Sequence, residues 1–170
     1  PVSPAEAKKV CLTFDDGPEN GTEDVLDALG GTVPAAFFLT GKHMAADLTM
    51  QTRLVERMLK EGHQIGNHTF THKPQTTKGY EMTYGDLSDP ANLKKFQDNY
   101  NMNERHFRTL LGATSPVFQL ARLPGDGRFV KAGENLIFVI ATEGMGMAHV
   151  TWNFEFAPNG EFSWVPINDW

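Results

Sequence analysis

Strand-type apolar runs alternate with helix-length segments along this chain, and the runs close on chemically capable polar residues. That alternation restricts the fold more than any other feature. Residues 10–14 (VCLTF) are apolar and β-prone and end in Asp15-Asp16-Gly17-Pro18, a turn signal. Thr22 can cap a helix running to Leu29, where Gly30-Gly31 stops it. Residues 35–40 (AAFFLT) predict a second, buried strand. Residues 49–61 predict a helix, with Leu54/Met58 and Val55/Leu59 four apart and Gly62 as the stop. Residues 64–67 predict a third strand. Asp89-Pro90 is a helix start, and Leu93, Phe96, Tyr100, Phe107 and Leu111 follow with helical spacing up to Gly112. Residues 117–121 and 149–153 predict further strands, while 136–141 (LIFVIA) suit a strand or a buried helix. Alternating strands and helices predict an α/β fold with a mostly parallel sheet or barrel. Ligands of such folds bind at the loops after the carboxyl ends of the strands.

The 170 residues are expected to form one domain, 1–170, large enough to bury a core without cross-links. Cys11 is the sole cysteine, so no disulfide can form within the chain. Fifteen basic against 21 acidic residues give a net charge of -6. With no basic stripe to neutralise phosphates, nucleic acid is not an expected partner. No apolar run is long enough to span a membrane. Pro1-Val2-Ser3-Pro4 has neither the charged nor the apolar region of a leader.

Three polar clusters fall at predicted strand ends. Asp15 and Asp16, being adjacent, point different ways; one can hold a metal while the other takes a proton. An Asp-Gly turn with solvated acids explains them equally well. His68 and His72, in HTFTH, lie four apart and can share a cation; among six histidines, ordinary surface or core positions are the plainer alternative. An aspartate at another strand end favours the metal, and an Asp/His/His set leaves positions open for water and substrate. Arg122, in ARLPGDGR, follows a strand and can pair with a carboxylate, or simply flank a Pro-Gly turn.

Together, TFDDGP, then HTFTH about fifty residues on, then Arg-x-Pro-Gly, with EGHQIGNHT leading into the second, resemble the NodB-homology polysaccharide deacetylases of carbohydrate esterase family 4. The match runs from about Lys9 to Trp152. The resemblance implies a distorted (β/α) barrel with seven or fewer strands. It implies Asp16, His68 and His72 as ligands of a divalent cation, usually zinc and sometimes cobalt or another ion. It implies Asp15 as general base and Arg122 as the residue contacting that base. The reaction implied is hydrolysis of N-acetyl or O-acetyl groups on a carbohydrate, with Asp15 taking a proton from the attacking water and acetate leaving. The substrate class is chitin-like, peptidoglycan or acetylated xylan, and the setting is secreted or cell-envelope.

Two departures stand out. Gly125 occupies a position where the family commonly has an aromatic, and no Leu-x-His segment, which would carry the family's general acid, occurs. The expectation is therefore a barrel incomplete at its C-terminus, with a sugar-binding or catalytically impaired domain as the alternative. His149 and His63 are expected to be structural, His43 to lie on the site's rim, and Trp152 to pack in the core. The oligomeric state is left open.

Overall fold

The computed structural model describes residues 10–44, 47–72, 84, 88–124, 144–150, 152, 154–156 and 162–164. Five strands form one sheet: β1 (Leu12–Asp15), β2 (Ala35–Leu39), β3 (Gln64–Asn67), β4 (Leu120–Ala121) and β5 (Ala148–His149). They lie in sequence order and every neighbouring pair is parallel. All five carboxyl ends therefore open on one side. Parallel strands need crossover connections. Among the described residues, the first three are α1 (Thr22–Leu29), then α2 (Gly41–Met44) with α3 (Leu48–Lys60), then α4 (Pro90–Leu111) with a 3-10 turn at Gly112–Thr114; most of the connection from β4 to β5 lies outside them. The α/β architecture is the one the alternation predicts. A two-stranded antiparallel hairpin, β6 (Phe154–Phe156) with β7 (Phe162–Trp164), follows and was not anticipated. Its signal was Pro158-Asn159-Gly160 between two aromatic runs.

β2 shows why the sheet holds. It lies between β1 and β3, and AAFFL is apolar at every position, as a strand covered on both faces requires. Alternation sends Phe37 and Leu39 to the helix-covered core and Phe38 to the other face. Phe37 stacks on Phe14 at 5.1 Å and joins Leu26 and Leu29 of α1, Leu54, Val55 and Met58 of α3, and Phe96, Tyr100, Phe107 and Leu111 of α4. Each helix thus buries the stripe that its apolar spacing marks.

Boundaries moved where local chemistry outbid pattern. Gly21, at φ 91°, takes the cap position expected of Thr22, whose hydroxyl instead accepts the Glu19 N–H at 2.9 Å. Asp47 caps α3 by accepting the Met50 N–H, so the helix begins at Leu48, one residue before the expected start. Asp89 caps α4 as expected, accepting from Ala91 N–H at 2.8 Å. Of residues 117–121 only Leu120 and Ala121 pair, because β3 offers register partners only at Gly66 and Asn67; Val117 is exposed. The last parallel strand begins one residue earlier than expected, at Ala148. Residues 136–141, Gly125 and Trp170 lie outside the described residues.

Candidate active site

Asp15 is the last residue of β1 and Asp16 the first beyond it; His68 follows β3 and Arg122 follows β4. Parallel pairing brings these strand ends side by side, so residues far apart in sequence meet. The ligand atoms of Asp16, His68 and His72 all lie within 4.8 Å of one another. Asp16 Oδ1 is 2.7 Å from His72 Nε2 and 3.4 Å from His68 Nε2.

The donor set fits a cation. His68 Nδ1 lies 2.8 Å from the Arg122 carbonyl, which only accepts, so Nδ1 carries the proton and Nε2 of the neutral ring presents a lone pair. Asp16 Oδ1 is buried and receives no well-aligned hydrogen bond. Electron-rich atoms then converge on one point, an arrangement that calls for protons or a metal ion. With the rings protonated, hydrogen bonds from His68 and His72 hold the Asp16 carboxyl well below the usual range, against the opposing effect of burial. With neutral rings, a cation takes the protons' place. The histidine pair expected from HTFTH is thus brought together with Asp16.

The backbone here is held in an uncommon shape. Asp16 (φ 70°), Thr69 (φ 67°) and His72 (φ 52°) are the non-glycine residues with positive φ among those described, and all three belong to this cluster. The left-handed region is a genuine outlier for a β-branched residue such as Thr69. Each such residue costs of order 1–3 kcal/mol and persists only where its surroundings over-determine it.

Arg122 is 2% exposed, so its charge must be met by the protein. Nη1 donates to Asp15 Oδ1 at 2.7 Å and to Thr13 Oγ1 at 3.0 Å, and Nε donates to the Val150 carbonyl. The guanidinium lies 4.1 Å from the Phe38 ring centroid and 5.2 Å from that of Trp152. With Oδ1 of Asp15 committed, Oδ2 sits 3.8 Å from His68 Nε2, on the side of the cluster. The pairing of Arg122 with a carboxylate was open in the sequence; the partner is Asp15.

The remaining histidines divide by contact. His63 is buried, with Nδ1 accepting the Ala35 N–H. His149 Nε2 accepts the Leu123 N–H at 3.2 Å, and burial followed by the nearby Arg122 charge pushes its pKa down to about 4. His149 is thus a neutral group tied to the backbone, as expected of a structural histidine. His43, on α2, hydrogen-bonds the Asp16 carbonyl and lies 3.0 Å from Glu19 Oε1, close behind the cluster rather than merely on its rim.

Two asparagines were missed. Asn103 is fully buried and donates to Asn67 Oδ1 and to the Leu39 carbonyl, both at 2.9 Å. Asn99 accepts from Phe70 N–H at 2.7 Å and from Thr71 N–H at 3.1 Å. Their signal was position: they continue the stripe of Phe96, Tyr100 and Phe107, where an amide must find internal partners.

The polysaccharide deacetylase family profile matches residues 3–123, well over half of the chain. The chain belongs to the polysaccharide deacetylase family. It is 39% identical over 110 residues to the peptidoglycan-N-acetylmuramic acid deacetylase PdaA of Bacillus subtilis, an alignment covering 64% of this chain and 40% of that protein. It is 49% identical over 67 residues to a chitooligosaccharide deacetylase of a Bradyrhizobium species, covering 38% of this chain and 29% of that one. A family 4 carbohydrate esterase from Bacillus anthracis superposes with a TM-score of 0.56 at 32% identity, over 84% of this chain and 57% of its own. The chain spans less than two thirds of the length of each. Metal dependence is general in this family. No helix among the described residues is long and apolar enough to cross a membrane.

Proposed function

We propose that this chain is a metal-dependent carbohydrate deacetylase, hydrolysing N-acetyl or O-acetyl groups to acetate. One observation carries the reading: a cation-ready Asp16/His68/His72 cluster lies beside an Asp15 carboxylate that a buried Arg122 holds in place. Asp16, His68 and His72 would hold the cation, with zinc the favoured ion and cobalt or another divalent ion accepted by the same donors. A bound divalent cation supplies Lewis acidity, lowering the pKa of a coordinated water from 15.7 toward about 7 and polarising a carbonyl.

The residues divide the remaining work. Asp15 takes the proton of the attacking water through Oδ2, the oxygen that faces the cluster. Arg122 fixes Asp15 through Oδ1 and is itself fixed by Thr13 and the Val150 carbonyl, so the base cannot rotate away. His68 keeps its ligating nitrogen deprotonated by donating its other proton to the Arg122 carbonyl. The water oxygen bonds to the acetyl carbonyl carbon, the C–N or C–O bond then breaks, and the proton held by Asp15 passes to the departing nitrogen or oxygen, releasing acetate and a free amine or hydroxyl.

The names of the relatives support a substrate among acetylated amino sugars, either peptidoglycan strands or chitin-type oligomers, with acetylated xylan a further candidate. The test is acetate release from a panel of these sugars, as purified, after EDTA, and after zinc or cobalt is restored. Release should vanish with chelator and return with metal. Release indifferent to chelator would overturn the metal reading, and binding of the sugars without release would favour a binding domain.

A further inference from the structure

The side of the His68–His72 turn away from the cluster is held by side-chain amides. Asn99 Oδ1 accepts from the consecutive N–H groups of Phe70 and Thr71, and Asn99 Nδ2 donates to Thr71 Oγ1 at 2.9 Å. Asn103, one helical turn on, donates to Asn67 Oδ1, and that same oxygen accepts the Thr69 N–H at 3.0 Å. From the opposite side, Lys42 N–H donates to the Phe70 carbonyl at 2.8 Å. Within the turn, Thr69 Oγ1 accepts the His72 N–H. The turn carries two residues in the left-handed region, Thr69 and His72, and the β-branched Thr69 has no local preference for it. Something outside the turn must select that shape; the α2 backbone holds one carbonyl, at Phe70, and the side-chain amides of α4 take the N–H groups of Phe70 and Thr71, while the Asn67 amide that Asn103 backs takes that of Thr69.

We propose that Asn99, backed by Asn103, is a positioning residue for the metal centre: it holds residues 69–72 so that His72 faces Asp16 and His68. The inference rests on the reading of His68 and His72 as ligands. It adds that ligand geometry is set from α4, about thirty residues away in sequence. Asn99 suits the task because its oxygen can receive two N–H groups while its nitrogen donates. Alanine would strand the Thr71 N–H and leave the Phe70 N–H only the Asn99 backbone carbonyl, at 3.3 Å, freeing the turn to relax. Aspartate retains the oxygens and can accept from the Thr71 hydroxyl, so it should largely restore the hold.

The experiment measures zinc affinity, the visible absorption of the cobalt-loaded protein and the apo-protein melting temperature. It compares the 170-residue chain with Asn99→Ala, Asn99→Asp and His72→Ala. Asn99→Ala should weaken zinc binding about 10–100-fold, the range for losing a partner that orients a metal ligand, and should alter the cobalt bands. Asn99→Asp should recover most of both. A lowered melting temperature with wild-type affinity and spectrum would make Asn99 merely structural and overturn the proposal. If Asn99→Ala does not fold, Thr71→Ala, which removes the hydroxyl that Asn99 and Tyr84 share, should still weaken zinc several-fold, while Tyr84→Phe, which leaves the Asn99 contact in place, should not; unchanged affinity in Thr71→Ala, or an equal loss in Tyr84→Phe, would overturn it. His72→Ala separates the two readings. If it binds zinc as tightly as the parent, the ligand assignment fails and this inference with it. If it loses zinc while Asn99→Ala does not, only the positioning role fails.

Discussion

At the scale of single residues, Asp15 and Asp16 show how adjacent, chemically identical side chains acquire different tasks. Asp15 ends the strand, and its side chain turns to a buried guanidinium. Asp16, one residue on with φ 70°, turns to two histidines. The proposed roles therefore separate by mutation. Asp15→Asn should leave zinc stoichiometry intact, because Asp16, His68 and His72 are untouched. Acetate release should fall by roughly 10²–10⁴, the usual worth of a positioned general base. Metal content measured beside kcat checks this, and wild-type kcat in Asp15→Asn would remove Asp15 from the base role. Which aspartate faced which partner was not legible in TFDDGP, since the division depends on one backbone torsion. Its consequence, a metal ligand beside a base, was open in the chemistry and specific only through the family resemblance.

At the scale of elements, the strands act as rulers that bring their carboxyl ends level, and close packing sets their spacing. Gly66 is the clearest case. A Cβ there would sit 2.4 Å from the Phe38 ring, which also meets the Arg122 guanidinium and the edge of the His68 ring. Gly66→Ala must push that ring aside, and overpacking of this kind costs typically 1–3 kcal/mol. Chemical denaturation should show the loss at an unchanged m-value, and an unaltered midpoint would mean that β2 and β3 have slack. Gly66, inside EGHQIGNHT, was readable as part of a motif but not as a packing constraint, because the ring it meets belongs to another strand. Helices with clear stripes and stops were legible: α4 starts on Asp89-Pro90 and ends at Gly112, as the sequence predicts. Short elements were not. α2 is four residues long, too few for a period, and yet it delivers His43 to Asp16. Asn99 and Asn103 were passed over because a search for apolar spacing ignores the polar residues sharing the stripe.

At the scale of the whole molecule, strand order determines the site. Five parallel strands in sequence order gather Asp15, His68, Arg122 and His149 at one end of the sheet. Burying a histidine there, beside the Arg122 charge, has a cost that depends on pH. His149 keeps its neutral form down to about pH 4, whereas an unfolded histidine protonates near 6.5. Between these values the unfolded chain binds the extra proton, so stability falls as pH drops from about 6.5 to 4 and gains nothing from this group above that window. The full loss is at most roughly 3 kcal/mol. Denaturation midpoints across this range should show it, and His149→Gln should flatten the slope; an equal slope in the variant would assign the acid sensitivity elsewhere. In the function proposed, the strand-end cluster makes this chain a metal-dependent deacetylase. The most direct test is acetate release from an N-acetylated oligosaccharide as zinc is titrated into the EDTA-treated protein. No release is expected without metal, followed by a rise that saturates at one equivalent. Full release from metal-free protein would contradict it.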